Sequence, residues 1–304
     1  MNNDNLPFGV GIRILTEIEA STADLGALKN LQGAWSSSSG MGWNVISVPG
    51  TKEQEFVYEV IPYTEKLTFT PVVAASNRGP FIEGQEETQN LVGLLYEQEI
   101  FSECDTDFCK QRGFPSGAMI HAERGIFLNV ANFNSGFDVV RLSTIPHGNS
   151  VLAPGTSNNT IPATNDFFGE ASTEPSAVTG SLPFGYGEGQ FNTLQFANFP
   201  QTNPNLFLQK TLGDQKLSAM TTLDFSTKNT DGGVLNIPFI QKNIKTTDME
   251  ATFWIEELPN PVAGQANIFQ LQYTQTINLV FPPTGAKQMV VWPHVTVNTL
   301  RKMS

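Results

Sequence analysis

The feature that most constrains this chain is strict alternation with a period of two residues. From Phe269 to Phe281, the residues Phe269, Leu271, Tyr273, Ile277, Leu279 and Phe281 fall on one side. Gln270, Gln272, Thr274, Thr276 and Asn278 fall on the other, and Gln275 alone interrupts the apolar side. Successive side chains of an extended strand point to opposite faces, so the pattern reads as a strand with one buried face. Met249, Ala251, Phe253 and Ile255 alternate in the same way with Glu250, Thr252, Trp254 and Glu256. Phe56, Tyr58 and Val60 make a further apolar set, as do Leu67 and Phe69, and Ile120, Ala122, Ile126, Leu128 and Val130 make another. These are the marks of antiparallel sheet with one face in and one out.

Helical signals are sparse. Ala20 to Leu31 predicts one helix, with Ser21, Thr22 and Asp24 as caps and Leu25, Leu28 and Leu31 as its stripe; a second short helix is expected within Asn205 to Lys216. From about Val151 to Pro204 the alternation fails, and Pro, Gly, Ser, Thr and Asn crowd around Phe167, Phe168, Phe184, Tyr186 and Phe191. A patternless stretch of that length is expected to pack as a lid or as extra hairpins. The 304 residues thus read as one all-β domain, 1–304, with a loop-rich insertion at about 151–215. Two barrels in tandem are the alternative.

Charge narrows the partners. Asp plus Glu number 29 against 17 Lys plus Arg, a net charge of −12. That balance excludes phosphate-backbone binding, which needs clustered cations, and disfavours anionic membranes. No apolar run approaches the roughly 18 residues of a membrane span. The opening Met1-Asn2-Asn3-Asp4-Asn5 lacks a secretory pattern, so a cytoplasmic protein is expected. Cys104 and Cys109 do not match a Cys-x-x-Cys motif; they could pair, but the plainer reading is two loop thiols.

The histidines number three, His121, His147 and His294. His121 and Glu123 are two apart on a strand and share a face, so the carboxylate can fix the imidazole tautomer; the plainer reading is a structural pair. As an acid/base pair they are the candidate catalytic residues, with Tyr63 or Tyr96 assisting. His147, in Pro146-His147-Gly148, sits in a turn, either solvated or at a pocket mouth. His294, Thr296 and Asn298 share one face and Val295 and Val297 the other. The imidazole faces a cavity if the valines pack outside, and faces water if they are the core. The histidines are too scattered for a zinc motif. No Gly-x-Ser-x-Gly elbow occurs, Gly40-Met41-Gly42 is too short for a dinucleotide loop, and Asp231-Gly232-Gly233 reads as a hairpin turn.

Several short motifs stand in a familiar order. Gly33-Ala34-Trp35 with Gly40-Met41-Gly42 resembles the Gly-x-Trp opening strand of calycin barrels, the lipocalins, fatty-acid-binding proteins and nitrobindins. Pro62-Tyr63-Thr64-Glu65-Lys66-Leu67, the strand around Tyr96, His121-x-Glu123-x-Gly125, Ile145-Pro146-His147-Gly148, and His294-Val295 with Leu300 follow in the order of the nitrobindins. The resemblance implies an antiparallel calycin-like β-barrel that holds a hydrophobic small molecule, haem b foremost. It implies His294 as the ligand of the haem iron, with His121, His147, Trp35 and Tyr96 around the cofactor, and chemistry on diatomic gases or on reactive nitrogen or peroxide species. A wide barrel is expected to enclose a cavity that its own side chains do not fill. Beside this stand a non-haem isomerase or dehydratase using His121 and Glu123, and a plugged barrel with a structural or interaction role. A homodimer is compatible with the exposed loops.

Overall fold

The computed structural model describes residues 13–50, 56–73, 79, 81–86, 91–131, 136–182, 191–192 and 198–303. Phe184, Tyr186 and the side chain of Phe191 lie outside the described set. Eleven strands build the wall: β1 (Gly33–Ser37), β2 (Gly42–Pro49), β3 (Phe56–Val73), β4 (Val92–Ser102), β5 (Met119–Asn129), β6 (Val139–Ile145), β7 (Asn149–Asn158), β8 (Ala219–Ser226), β9 (Lys245–Leu258), β10 (Ile268–Phe281) and β11 (Val290–Lys302). Strands β1 and β2 are two pieces of one rung, both paired with β11 on one side and β3 on the other. The remaining pairs run β11, β10, β9, β8, β7, β6, β5, β4, and β4 returns to β3 along Tyr63–Val73. The all-β expectation holds: the sheet closes as a ten-position antiparallel barrel.

Two expectations about elements change. Residues 20–31 do not form one helix. A short α1 (Glu17–Thr22) starts at a capping box between Thr16 and Glu19, the chain turns extended at Ala23, and a 3-10 turn follows over Gly26–Leu31. Leucines spaced three apart match the 3-10 repeat, and Leu25, Leu28 and Leu31 are all buried. The pattern failure at Val151 is also not the end of order, because β7 runs on to Asn158 through Pro154 and Gly155. Gly155 is required there by close approach, since a Cβ would stand 2.3 Å from the Asp224 carbonyl oxygen. The second expected helix is present as α3 (Asn205–Leu212), after a one-turn α2 (Asp107–Gln111).

Inside the barrel, Leu25, Leu28 and Leu31 join Trp35, Leu67, Phe69, Leu94, Phe127, Phe225 and Phe253 in one buried cluster. Phe127 lies at its middle, with ring centroids 5.0 Å from Phe225, 5.1 Å from Tyr96 and 5.5 Å from both Phe69 and Phe253. Side chains therefore fill this half of the barrel, against the expectation of a hollow interior. Each fully buried Phe or Leu stabilises by roughly 1.5–3 kcal/mol.

A second cluster lies on the outer wall. Phe56, Tyr58 and Val60 are on the opposite face of β3 from Leu67 and Phe69, and together with Val45, Trp254, Val295 and Val297 they are covered by Phe168, Phe199, Leu208 and Leu212. These described residues of the insertion thus pack outside the barrel rather than over its interior. Cys104 and Cys109, expected as free loop thiols, are joined in a disulfide with a Cα separation of 6.0 Å. The turn of α2, capped by Thr106, brings them together beside Ile61. Among the described residues no helix is long and apolar enough to cross a membrane.

Candidate functional site

Strand β5 brings the site's first residues inward. Its register with β4 pairs His121 with Ile100, Glu123 with Gln98, Gly125 with Tyr96 and Phe127 with Leu94. Ile120, Ala122, Ile126 and Leu128, read from sequence as a buried face, point outward instead, where Ile126 stands between Leu95 and Leu142. The charged and aromatic residues of this strand find their partners inside, and the aliphatic ones are half-covered outside. A Cβ at Gly125 would meet the Leu142 carbonyl at 2.2 Å and the Tyr96 ring at 2.6 Å, so only glycine lets Tyr96 lie across the strand.

Glu123 is the hub of a buried polar layer. It takes a hydrogen bond from the Arg141 Nη2 at 2.8 Å, another from the Tyr96 hydroxyl, and faces the His121 Nε2 at 3.2 Å. Arg141 also donates from Nε to Tyr96 at 3.2 Å and from Nη1 to the Gln275 Oε1 at 2.6 Å, while its guanidinium stands over the Tyr96, Phe127 and Phe253 rings at 5.4–5.9 Å. Burial by itself would raise the Glu123 carboxyl; the Arg141 charge and the bonds from His121 and Tyr96 outweigh it and bring the pKa down to about 2.

A second buried carboxyl, Glu65 on β3, has among the described residues no cation in its hydrogen-bonding shell. It accepts from Gln98 Nε2, the Tyr273 hydroxyl and Asn298 Nδ2, each at 2.7 Å, and Tyr273 in turn meets the Tyr63 hydroxyl at 3.0 Å. Burial dominates here and pushes Glu65 above the usual carboxylate range, with neutral donors opposing it.

Beyond this layer the three histidines converge. His147, in the turn between β6 and β7, is exposed, and its Nε2 lies 3.4 Å from the His121 Nδ1. His294 faces inward on β11, paired with Ile277 on one side and Ile46 on the other, while Val295 and Val297 are buried under the insertion. The alternative in which the valines form the inner face is excluded. Burial, followed by the charges of His121 and His147, lowers His294 to about 4, so it is neutral at pH 7. Its Nε2 is hydrogen-bonded to the Asn44 Oδ1. An amide oxygen only accepts, so Nε2 carries the proton and Nδ1 keeps the lone pair. Burial also lowers His147, with the His121 charge adding to it.

Of the residues picked from sequence, His121, Glu123, His147, His294 and Tyr96 come together, Tyr96 through its hydroxyl. Trp35 does not join them: it pairs with Leu67 among the leucines of the filled half, its Nε1 donating to the Leu31 carbonyl at 2.7 Å. Tyr63, the other assisting candidate, stands instead in the Glu65 network, and sequence reasoning missed the rest of that network, Gln98, Tyr273 and Asn298, together with Arg141, Gln275 and Asn44. Two had signals: Gln275 breaks the apolar face of its strand, and Arg141 stands alone in Val139-Val140-Arg141-Leu142. Among the described residues no group of three or more His, Cys, Asp or Glu side chains is arranged to hold a metal ion.

No protein family matches the chain, and no curated protein matches it. Among solved structures, the chain is similar to the crystal structure of Rv2717c from M. tuberculosis, with 14% identity, a TM-score of 0.39, and coverage of 92% of this chain and 100% of that one.

Proposed function

We propose that the histidine-lined end of the barrel binds a small molecule with an apolar body. The observation that carries this reading is the convergence of imidazoles from positions 121, 147 and 294, with Ile46, Ile100 and Ile277 paired beside them on the same inward face. Apolar walls with a few placed polar groups suit small-molecule binding. The Phe127 cluster and the Glu123–Arg141 layer form the floor and confine a guest to this end.

Haem is the guest to which the sequence resemblance points, and the residues fit it in kind. His294 is neutral, its Nε2 proton is given to Asn44, and Nδ1 offers a lone pair to a metal, the arrangement in which an outer carbonyl orients a ligating imidazole. His294 would hold the iron, and the bound group would supply a centre for diatomic gases or reactive nitrogen and peroxide species. The chain's own contribution is separate from that chemistry. The isoleucines exclude water, Glu123 fixes the orientation of His121, and His147 stands at the solvent edge. Ferric haem added to the full chain should give a shifted Soret band that disappears in His294→Ala. A shift of the same size in that variant removes His294 as ligand. A spectrum indifferent to the protein removes haem, and mass spectrometry of what co-purifies from a lipid mixture then identifies the apolar guest.

One observation favours a second reading, non-haem acid/base chemistry. The His121 Nε2 and Glu123 Oε2 are 3.2 Å apart. Held near 2, Glu123 stays a carboxylate at neutral pH, so in this reading it orients His121 and His121 moves the proton. Turnover would then survive His294→Ala and vanish in His121→Gln.

A further inference from the structure

Between β7 and β8, the described residues Phe168, Glu170, Ala171 and Asn205 lie against the outer wall and line with it a cleft of about 440 Å³. One side is the outer face of β8, β9 and β10; the other carries Phe168, Glu170 and Asn205. Its polar lining is made of carboxylates, hydroxyls and two amides; the Asn229 Nδ2 is spent on the Pro154 carbonyl at 2.8 Å and the Thr252 hydroxyl on the Asp224 Oδ1 at 2.7 Å. Glu170 and Asp224 are exposed at the rim, and Glu250 beside them is held by Lys228 at 3.3 Å. Deeper in, Asn205 is only 2% exposed. It spends its Nδ2 on the Phe168 carbonyl at 2.8 Å, and among the described residues its Oδ1 has no partner. The Thr274 hydroxyl oxygen is likewise buried without a partner. Among the described residues no Lys, Arg or His lines the cleft, and Phe137 and Phe168 supply aromatic surface.

Buried oxygens left without donors, an anionic rim and aromatic walls are complementary to one chemical class. We propose that this cleft binds a primary organic ammonium ion, its N–H groups given to the orphan oxygens of Asn205 and Thr274, the Asp224 and Glu170 charges at the rim attracting it, and its apolar body laid against Phe137 and Phe168. A quaternary ammonium has the charge but no N–H for the orphan oxygens. A bare metal ion would need several oxygens closed round it at 2.0–2.6 Å and would leave the aromatic surface unused. The site is separate from the histidine end of the barrel and is created by the insertion.

The test is isothermal titration calorimetry of the full chain with phenethylammonium chloride at pH 7 and low salt. One saturable site is expected, unchanged in His294→Ala. Binding should weaken by about tenfold or more in the double variant Asp224→Asn, Glu170→Gln, which alters only exposed carboxylates, and tetramethylammonium should bind at least about tenfold more weakly than phenethylammonium. The proposal is overturned by absence of saturation, by equal affinity for tetramethylammonium, by wild-type affinity in the double variant, by stoichiometric displacement with calcium chloride, or by loss of binding in His294→Ala.

Discussion

The two ends of the barrel interior are built from opposite materials. At one end, leucines of a 3-10 turn and the rings around Phe127 leave the wall no polar partner to meet. At the other, three imidazoles, two of them with lowered pKa, stand among isoleucines, with His147 open to solvent. The layer of Glu123, Arg141 and Tyr96 separates them. Its guanidinium lies over the rings on one side, and its carboxylate meets His121 on the other. Stability is thereby concentrated where no ligand can enter, and the reactive groups are mounted on the lid of that core rather than in it.

The largest expected effect comes from breaking the layer itself. Arg141→Met leaves Glu123 buried without its cation. Unpaired buried charge of this kind costs about 3–5 kcal/mol, measured as a loss of stability in chemical denaturation. Adding Glu123→Gln to the same chain should recover part of that loss, because the charge to be compensated is gone. Recovery of nothing would mean that Arg141 acts through its ring contacts and not through the ion pair. Phe127→Ala probes the filled end alone and should cost about 3–5 kcal/mol, with the His121–His147 contact, read from the NMR shifts of the two rings, left as it was.

A third buried carboxyl, on the outer wall, sharpens the same contrast between paired and unpaired charge. Among the described residues Gln270 is the one hydrogen-bonding partner of Glu256, and burial pushes the carboxyl up to about 8 against the opposing charge of Arg301. An acid whose folded pKa is raised binds its proton in the folded chain while the unfolded chain has released it. Its stabilisation is present below the ordinary carboxylate pKa of 4.5 and is lost as pH rises from there through about 8. Glu256→Gln should therefore flatten the decline, leaving the variant about 4 kcal/mol more stable than the parent at pH 8 relative to their difference at pH 4. Parallel pH profiles for the two chains would show that Glu256 is satisfied by a partner other than Gln270.

The barrel was legible because alternation is a property of neighbouring residues. Phe269–Phe281 and Met249–Ile255 need no tertiary information to announce one buried face. The faces of β3 were not legible because both are covered, and those of β5 were not because its inner face carries the charged and aromatic residues while its aliphatic ones stand partly exposed outside. Phe56, Tyr58 and Val60 look like a core set and are one, but beneath the insertion, and no local pattern tells a strand which of two cores will claim a side. The histidine site was half-legible for a related reason. His121 and Glu123 are two residues apart, whereas Arg141, Gln275 and Asn44 arrive from three other strands through pairings that only closure of the sheet creates. The disulfide was hidden by its spacing, which becomes close only once α2 has turned.

The smallest effect separates the two ends by pH alone. Burial and its neighbours hold His294 at about 4 against an ordinary 6.5, so the folded chain binds fewer protons than the unfolded chain between those values. A group of that sign stabilises the fold above pH 6.5 and progressively withdraws the contribution as pH falls toward 4. His294 keeps some solvent contact, which discounts the shift, and about 1–2 kcal/mol should be lost across that window. His294→Gln, which keeps a donor for Asn44 but does not titrate, should remove most of this acid sensitivity between pH 6.5 and 4 while leaving stability at pH 7.5 nearly unchanged. The filled end contributes no titrating group in that range, so its variant Phe127→Ala should shift the whole profile downward without altering its slope. An unchanged slope in His294→Gln would mean that His294 takes up its proton alike in the folded and unfolded chains, so that burial does not hold it neutral.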